Sequence, residues 1–574
     1  MKSKLTVMAA CASLASSTFA AQQIERLSSS TSGLESNDSV TRPASSSHDG
    51  RFVVFTSLAT NLDPLAAPGP GLAQVYLRDR ALDTTRCVSS APGGQHANSH
   101  SNSGPWALSA DGTLLAYWTD ASNYGHLDAN NESDVFVRDL RTNALTLVSA
   151  KPDGTIGVGF SVEAALSGDG AFVAFSSSGP NLVPGDSNHR IDVFVRDLAA
   201  ATTTRVSVSS SGTEGNAKSH SPALSFDGRF VVFHSEADNL VAGDHNERRD
   251  VFLHDRATAT TTRVSVDNLG LEGNGESSWP SISADGRWIA MMSSALNFGA
   301  PLVPNQAQVF VHDTLGGTMT WVSDVNGQVE GTPSSAVIAA SGRHVVYTSN
   351  AVSFGGSGSV RQSLVRDLAS GTTTLVSADV NGTPSQGFCL YPQLSGDGRF
   401  AFFNSQAPDL VAGDTNGRID LFAHEGPWTP HFESYCPAGT SSQNCTPSLT
   451  ATGLPSASAA TAFTLSTANV DGQRAGLYFY GVSGATLSPW GQSSSSLCVK
   501  APTQRTAVQN SGGTPGSCDG SLLLDWSQFA ASHPNALGAP FRDADTVWIQ
   551  AWYRDPSGAK STALSNALRF QLLP

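Results

Sequence analysis

The amino-acid sequence predicts an all-β protein in which a seven-bladed β-propeller is followed by a small β-sandwich. The main observation is a repeat that occurs seven times at intervals of 56 to 62 residues. Its most regular mark is an Asp-Gly or Ser-Gly turn, at Asp49, Asp111, Asp169, Asp227, Asp285, Ser341 and Asp397. A repeat of this length with four strand-like stretches is typical of propeller blades and not of helical solenoids.

The repeat from Pro222 to Val266 shows how one blade is built. The short apolar stretch PALS is followed by Asp227-Gly228, which suits a two-residue hairpin because glycine tolerates positive φ. RFVVFHS and DVFLHD alternate large apolar residues with smaller or polar ones, which is the periodicity of a strand. The β-branched run TTRVSV predicts the fourth strand. Each repeat therefore supplies one four-stranded sheet.

The seventh repeat lacks a fourth strand of its own. In the other six repeats this strand ends in Val-Ser, at Ser89, Ser149, Ser207, Ser265, Ser323 and Ser377, whereas GPWTP follows Glu425 in the seventh. The segment from Gln23 to Ser28, QIERLS, matches the missing strand. We therefore predict that it pairs beside Asp420 to His424 and closes the ring.

The ends of the chain predict further segments. Residues 1–20 have two lysines, a mostly apolar stretch and the small-residue site Thr18-Phe19-Ala20, which together predict a secretory signal peptide cleaved near Ala20. The alternative is a lipoprotein signal at Met8 to Cys11. We predict a propeller over residues 21–426, a linker over 427–432 and a sandwich over 433–574, in a secreted or periplasmic protein.

The net charge of −15 argues against a nucleic-acid partner and against an anionic membrane surface, since both attract clustered lysine and arginine. No segment of the mature chain is apolar enough over sufficient length to predict a membrane span. The oligomeric state is not indicated by the sequence.

Four cysteines lie in the C-terminal region, at Cys436, Cys445, Cys498 and Cys518. An even number in an exported protein predicts disulfides. The sequence-local pairs Cys436–Cys445 and Cys498–Cys518 are the simplest of three connectivities. Cys87 and Cys389 lie in blades 1 and 7, which closure makes neighbours, and form either a disulfide or two buried thiols.

The blade motifs, S-x-D-G-R-F-V-x-F-x-S, N-L-V-x-G-D-x-N and D-V-F-V-R-D, resemble the WD40-like repeats of the TolB propeller family from about Gln23 to Glu425. This resemblance implies the fold and either a protein-interaction propeller or one that accompanies a peptidase domain. The C-terminal pieces YCPAGTSSQNCTPSL, LYFYGV, SPWG, LCVKAP and WYRDP are similar to a module on secreted bacterial proteins. That second similarity implies no activity.

Two kinds of polar loop share one face of the propeller, because successive strands of a blade run in opposite directions. The loop between the second and third strands has the spacing D-x-N-x-x-x-D, at Asp186, Asn188 and Asp192, at Asp244, Asn246 and Asp250, and at Asp414, Asn416 and Asp420. Alternate oxygen ligands of this kind suit calcium. The alternative is that these residues cap turns through side-chain to backbone hydrogen bonds.

No sequence motif indicates catalysis: G-x-S-x-G, H-E-x-x-H and the phosphate-binding G-x-x-x-x-G-K are all absent. Carboxylates at the channel leave a carbohydrate-active enzyme as an alternative. Seven aromatic residues form either a sugar-stacking surface or the sandwich core: Tyr478, Phe479, Tyr480, Trp490, Trp548, Trp552 and Tyr553. The favoured interpretation is a non-enzymatic scaffold that recognises a protein or a polysaccharide, and a structural attachment protein of the cell surface is the third alternative.

Overall fold

The computed structural model describes residues 24–63, 69–91, 93–124, 130–301, 306–357, 359–426, 432–436, 438–453, 455, 463–489, 496–541, 545–556 and 562–572. The chain divides into two compact units, Met1–Trp428 and Thr429–Pro574. The predicted signal peptide and residues 427–431 of the predicted linker lie outside the described residues. No helix in the described ranges is long and apolar enough to cross a membrane.

The first unit contains seven four-stranded antiparallel sheets within its described part, and it is therefore the predicted β-propeller. The strands are given from first to fourth. Blade 1 comprises Ser45–Ser46, Phe52–Ser57, Gln74–Asp79 and Thr84–Cys87, and blade 2 comprises Ser101–Asn102, Leu114–Thr119, Asp134–Asp139 and Leu145–Leu147. Blade 3 comprises Ser161–Leu166, Phe172–Ser177, Asp192–Asp197 and Thr202–Arg205. Blades 4 and 5 comprise Ser219–Leu224, Phe230–Ser235, Asp250–Asp255 and Thr260–Arg263; and Ser277–Ile282, Trp288–Ser293, Gln308–Asp313 and Thr318–Trp321. Blades 6 and 7 comprise Ser334–Ile338, His344–Ser349, Gln362–Asp367 and Thr372–Leu375; and Cys389–Leu394, Phe400–Ser405, Asp420–Glu425 and Ile24–Arg26. Short 3-10 turns at Leu296–Phe298 and Val352–Phe354 and a hairpin of Asp324–Val325 with Gln328–Val329 lie between these strands.

The predicted closure of the ring is confirmed. Ile24, Glu25 and Arg26 pair antiparallel with His424, Ala423 and Phe422, so the N-terminal strand is the fourth strand of blade 7. Pairing continues beyond the strand, since Leu27 N donates to the carbonyl of Leu421 at 2.7 Å. Both Cys87 and Cys389 are buried free thiols, which confirms the second of the two alternatives.

The Asp-Gly turns hold neighbouring blades together. Gly50 has φ of +70°, and a Cβ at this position would lie 2.6 Å from Cδ2 of Phe400 in blade 7. Glycine is therefore required both by the backbone conformation and by the approach of the neighbouring aromatic ring. Backbone hydrogen bonds join successive turns as well, for example from His48 N to the carbonyl of Ala110 at 2.8 Å and from Ala110 N to that of Gly168 at 2.9 Å.

The second unit has two main sheets around one core. The six-stranded sheet contains Phe432–Cys436, Thr562–Gln571, Thr546–Arg554, Ala475–Gly481 and Gln504–Arg505, with Gln509–Asn510 also paired to Ala475–Gly481. The other sheets are Ser448–Gly453 with Phe463–Val470 and Gly520–Asp525, and Ala485–Pro489 with Ser496–Val499. The helix Trp526–Ser532 begins at Asp525, whose side chain accepts from Gln528 N.

A single apolar cluster packs the six-stranded sheet against the three-stranded sheet, as in a β-sandwich. Tyr478, Tyr480 and Tyr553 belong to it and are fully buried, so these three form core and not a stacking surface. Trp552 is partly buried against a second cluster, and Trp490 lies outside the described residues.

The sequence-local disulfide pairing is wrong. Cys445 is bonded to Cys518, 73 residues further along the chain, with a Cα–Cα distance of 5.3 Å. Cys498 is also disulfide-bonded. Sequence proximity misled because Cys445 precedes the first strand of the three-stranded sheet and Cys518 precedes its third strand, and the fold brings these two segments together. The side chain of Cys436 lies outside the described part of the chain.

Candidate functional site

Blades 3, 4 and 7 each gather carboxylates around one arginine on the face that carries the polar loops. In blade 3, Nη1 of Arg205 lies 3.1 Å from Oδ1 of Asp186, 3.7 Å from Oδ2 of Asp192 and 2.8 Å from Oε2 of Glu214. The two aspartates come from the predicted D-x-N-x-x-x-D loop, the glutamate comes from the connector to the next blade, and Arg205 ends the fourth strand. We call this arrangement the arginine cluster.

The same arrangement recurs in the other two blades. Arg263 lies 3.3 Å from Asp244, 3.6 Å from Asp250 and 3.0 Å from Glu272. In blade 7 the arginine belongs to the N-terminal strand: Arg26 lies 2.8 Å from Glu35 and 3.8 Å from Asp414. The carboxylate oxygens of Glu35, Asp414 and Asp420 lie within 4.8 Å of one another.

The asparagine of each loop caps a turn. Asn188 Oδ1 accepts from Arg190 N at 2.8 Å, and its Nδ2 donates to the carbonyl of Gly215 and to Oδ2 of Asp192, both at 2.8 Å. Asn246 and Asn416 make the corresponding bonds. The asparagine therefore fixes its own loop and ties it to the connector that enters the next blade.

Burial is the main influence on the aspartates of these clusters. It raises the pKa of Asp192 and of Asp250 to about 6, against the lowering effect of hydrogen bonds from serine and asparagine and of the arginine. The pKa of Asp414 is raised to about 6 by burial and by the charge of Asp420. The positive charge that calcium would supply is supplied here by a guanidinium that contacts several of the carboxylates. Calcium binding therefore stays a prediction. The arginine occupies the place beside the carboxylates that a calcium ion would need.

A second group of three potential ligands carries no metal site. Cys445, Asp471 and Cys518 lie within 4.8 Å of one another. Because the two sulfurs are bonded to each other, neither is a thiolate ligand.

A different candidate site lies at the opening of the central channel. The first strand of blades 3 to 7 has an irregular register, and each irregularity contains a non-glycine residue with φ between +50° and +57°: Glu163, Ser221, Trp279, Ser335 and Tyr391. Bulges re-aim side chains, and repeated left-handed residues indicate a constraint on function or packing. The first strand is the innermost of each blade, and these side chains are not buried, so they surround the channel.

Arg42 holds the equivalent place in blade 1, two residues after Val40, which pairs with Ser57. Its guanidinium carbon lies 5.9 Å from the ring centre of Trp118 in blade 2. We use the name channel mouth for Arg42, Glu163, Ser221, Trp279, Ser335 and Tyr391 together. It opens on the face of the arginine clusters, since the bulges lie near the start of the first strands.

Glu163 is the acidic group of the channel mouth. Its Oε2 accepts from Ser176 Oγ and from Ser221 N, both at 2.8 Å, and lies 3.6 Å from Nδ1 of His220. Burial alone would raise the pKa of this carboxyl, but the hydrogen bonds from His220, Ser221 and Ser176 lower it to about 2. Glu163 is therefore an ionised carboxylate throughout the physiological pH range.

The aromatic groups of the mouth are exposed above a buried histidine. Trp279 is 58% exposed and Tyr391 is 37% exposed. The ring of His234 meets the ring of Trp279 edge-on at 5.9 Å and lies at the same distance from His220. His234 is only 5% exposed, and its Nδ1 makes no hydrogen bond among the described residues. Burial, followed by the charge of Arg249, lowers the pKa of His234 to about 3.

Trp106 reaches across the channel below the mouth. The first-strand segment of blade 2, SNSGPWALS, is two residues longer than SVEAALS in blade 3, and this insertion carries the tryptophan. Trp106 packs against the apolar clusters of blades 4 and 5 and of blades 6 and 7, on the far side of the ring from its own blade. It lines a cavity of about 120 Å³ with first-strand residues of all seven blades, including Leu166, Leu224 and Ile338. The indole of Trp106 thus lies across the channel beneath the mouth, toward the Asp-Gly turns.

Sequence reasoning found the aspartates and asparagines but missed both their arginines and the channel mouth. The arginines had a signal, because TTRVS contains an arginine two residues before the serine in blades 3 and 4, and ERLS has it in the strand of blade 7. The sequence signal for the channel mouth was weaker. Its residues in blades 3 to 7 occupy the same position of the repeat but differ in type: Glu163, Ser221, Trp279, Ser335 and Tyr391.

Comparisons with known proteins give only structural similarities. No family model matches the chain, and no curated protein matches it. Among solved structures, putative TolB from Agrobacterium tumefaciens is 15% identical over 49% of this chain and 80% of its own, with a TM-score of 0.31. TolB from Acinetobacter baumannii is 13% identical over 62% of this chain and 76% of its own, with a TM-score of 0.32.

The β-propeller domain of the Trilobed protease from Pyrococcus furiosus is 11% identical over 68% of this chain and 95% of its own, with a TM-score of 0.44. Propellers of the TolB type are therefore among the structures to which the chain is similar, as its blade motifs predict. The assignment of the fold itself rests on the seven sheets. The similarity of the C-terminal module to one on secreted proteins stays a prediction.

Proposed function

We propose that this protein is an extracytoplasmic binding scaffold whose propeller, residues 21–426, holds a partner protein at the channel mouth. The observation that carries the proposal is the group of side chains at the mouth. It presents two exposed aromatic rings, an ionised carboxylate and an arginine around a channel that Trp106 crosses. Exposed aromatic and charged groups in a concave site are what binding sites offer.

An extracytoplasmic location is supported by two features. The disulfide Cys445–Cys518 is of a kind that persists in oxidising compartments. Residues 1–20 have the pattern of a secretory signal. The sandwich from residue 433 to 574 is then a stabilised companion domain of the exported propeller.

The acid–base properties of the site favour binding over glycoside chemistry. A catalytic acid works best with a pKa near the pH of the reaction. Hydrogen bonds lower the pKa of Glu163 to about 2, which suits a fixed charge and not a proton donor. The aspartates whose pKa is raised to about 6 lie in the arginine clusters, where serine, asparagine and arginine side chains contact them.

The proposal is tested by capturing partners from the native envelope fraction. We expect the double variant Trp279→Ala/Tyr391→Ala to lose a partner that the wild-type protein captures. The matched control is Leu82→Ala/Leu315→Ala, which removes two exposed apolar side chains, 67% and 79% exposed, from the opposite face. Equal capture by the wild type and the mouth variant, with loss in the control, would place the partner on the other face and end the proposal.

A further inference from the structure

We propose that the channel mouth binds a basic side chain, arginine or lysine, of the partner, with Glu163 pairing with the cation and Trp279 stacking on it. This inference rests on the proposed function and adds the chemistry of the ligand. Its support comes from the carboxylate, the ring, the histidine beneath them and the other charges that face the mouth.

The carboxylate is positioned and has one oxygen to offer. Ser176, Ser221 and His220 all contact Oε2 of Glu163, and within the described part of the chain Oε1 is left for a ligand. The side chain is 32% exposed, so a ligand reaches it from the channel. A carboxylate that is held by donors on one oxygen needs little reorganisation to accept a charge-assisted hydrogen bond on the other.

The indole is a fixed and accessible stacking partner. Trp279 comes from blade 5, and the edge-on contact with His234 of blade 4 supports its ring from one side while 58% of the residue stays exposed. Cations are attracted to the face of an aromatic ring, most strongly to that of tryptophan. A neutral imidazole beside this ring does not oppose a cation, and the charge on His234 is disfavoured by its burial.

The histidine beneath the ring makes no hydrogen bond through Nδ1 to the part of the chain that the structure describes. Nδ1 of His234 is buried without a hydrogen-bond partner among the described residues, which is unfavourable in a packed interior. A basic ligand beside Trp279 brings several N–H donors to the carboxylate of Glu163. Guanidinium and ammonium groups have five and three such donors, respectively, and no acceptor.

The other charged groups that face the site set its polarity. His220 stands beside Glu163 and Arg249 lies near His234, whereas Arg42 belongs to blade 1 and stacks on Trp118. Glu163 therefore lies on the side of blades 3 to 5, where Arg249 is itself paired with Glu236 at 3.2 Å, and Arg42 lies on the side of blade 1. A basic side chain enters on the first side, and Arg42 is left to meet a carbonyl or carboxylate of the same partner.

The experiment uses the full chain and two short peptides of equal length, one with a central arginine and one with citrulline, its uncharged isostere. Binding is measured by calorimetry and by the fluorescence change of Trp279, in comparison with Trp279→Phe. We expect the arginine peptide to bind about tenfold or more tightly than the citrulline peptide, and this preference to vanish in Glu163→Gln. Glutamine keeps the acceptor for Ser176 and Ser221, so the variant retains the local fold.

The matched control is Glu330→Gln. Glu330 is likewise held by a serine, since it accepts from Ser353 Oγ and Ser353 N, but it lies in a connector outside the mouth. We expect this variant to bind both peptides as the wild type does. Equal affinity for arginine and citrulline peptides would overturn the inference, as would a neutral oligosaccharide that binds better than either peptide.

Partner capture separates the two proposals. If the mouth variant loses its partner from the envelope fraction while arginine and citrulline peptides bind equally, the binding function stands and the cation inference fails. If the mouth variant captures its partner as the wild type does, the binding function fails whatever the peptides do.

Discussion

Blades 3, 4 and 7 differ from blades 1, 5 and 6 in how they tie the third strand to the connector above it. In blade 3 two residues make the connection, since Asp192 accepts from Ser207 Oγ at 2.5 Å and Asn188 donates to the carbonyl of Gly215 at 2.8 Å. In blade 1 one residue makes both bonds, since Gln74 accepts from Ser89 Oγ at 2.8 Å and donates to the carbonyl of Ser99 at 3.0 Å. Gln308 and Gln362 make the corresponding bonds in blades 5 and 6.

The aspartate–asparagine arrangement and the glutamine arrangement differ in charge. An amide is neutral when buried, whereas a buried carboxylate needs a positive partner. The position two residues before the serine accordingly holds arginine in blades 3, 4 and 7, at Arg205, Arg263 and Arg26, and an uncharged residue in blades 1, 5 and 6, at Cys87, Trp321 and Leu375. In these six blades the arginine accompanies the aspartates. Blade 2 departs from this rule, since Asp134 accepts from Ser149 Oγ there while Leu147 stands at the arginine position.

The largest test of this comparison is the removal of the strand that brings Arg26 to blade 7. Deletion through Ser28 leaves the edge of Asp420–Glu425 unpaired and removes the positive charge beside Asp414. We expect the propeller transition to fall by about 10 °C or more. A chain that begins at Ile24 is the control and should melt as the mature protein does; an unchanged midpoint after the longer deletion would contradict closure by this strand.

The next largest effect is expected for Arg263→Met in blade 4. The change leaves Asp244 and Asp250 buried without their cation, so we expect a loss of about 3–5 kcal/mol in the free energy of unfolding. Leu375→Met, at the same position of blade 6, should lose less than about 1.5 kcal/mol. Denaturant unfolding followed for the propeller transition measures both. Equal losses in the two variants would mean that the arginine contributes only packing.

The sequence predicted what repeats and missed what deviates from the repeat. The turn at Asp227-Gly228 and the closing strand at Ile24 were readable because the same residues recur at a fixed interval. Trp106 was not, because a two-residue insertion in one blade gives no periodic signal. The bulge at Glu163 and Trp279 is a backbone property shared by unlike residues, and the partner of Cys445 depends on strand order, which alternation does not reveal.

A smaller effect on stability is expected when the aspartate and arginine of blade 4 are replaced by the glutamine arrangement of blades 1, 5 and 6. In Arg263→Met/Asp250→Gln, the glutamine can accept from Ser265 and donate to the connector, as Gln362 does in blade 6. We expect the double variant to regain about 2 kcal/mol of the stability that Arg263→Met loses, because the buried charge next to the serine is gone. A double variant that is less stable than Arg263→Met would show that the glutamine arrangement depends on other features of its blades.

The aspartates with raised pKa predict a pH dependence in the opposite sense to that of an ordinary ion pair. Burial raises the pKa of Asp250 to about 6 in the folded protein, so its contribution to stability is complete below about pH 4 and is lost as the pH rises through about 6. We expect the wild type to gain on the order of 1 kcal/mol relative to Asp250→Asn between about pH 7.5 and about pH 5. Gln308 of blade 5 does not titrate, so Gln308→Asn should show no such change.

The smallest expected effect is that of added calcium on the melting temperature. It decides whether calcium or the arginine side chain neutralises the aspartates. Calcium binds oxygens at about 2.3–2.6 Å and would have to displace a guanidinium that lies 3.3 Å from Asp244 and 3.0 Å from Glu272. We therefore expect neither binding heat nor a chelator-dependent shift of the melting temperature in the wild type. In Arg263→Met the carboxylates are left without their cation, and calcium should restore part of the lost stability in proportion to the logarithm of its concentration. A chelator-dependent melt of the wild-type propeller would instead show that at least one D-x-N-x-x-x-D loop binds calcium, and its persistence in Asp134→Asn of blade 2, which has Leu147 in place of the arginine, would place the ion beside an arginine.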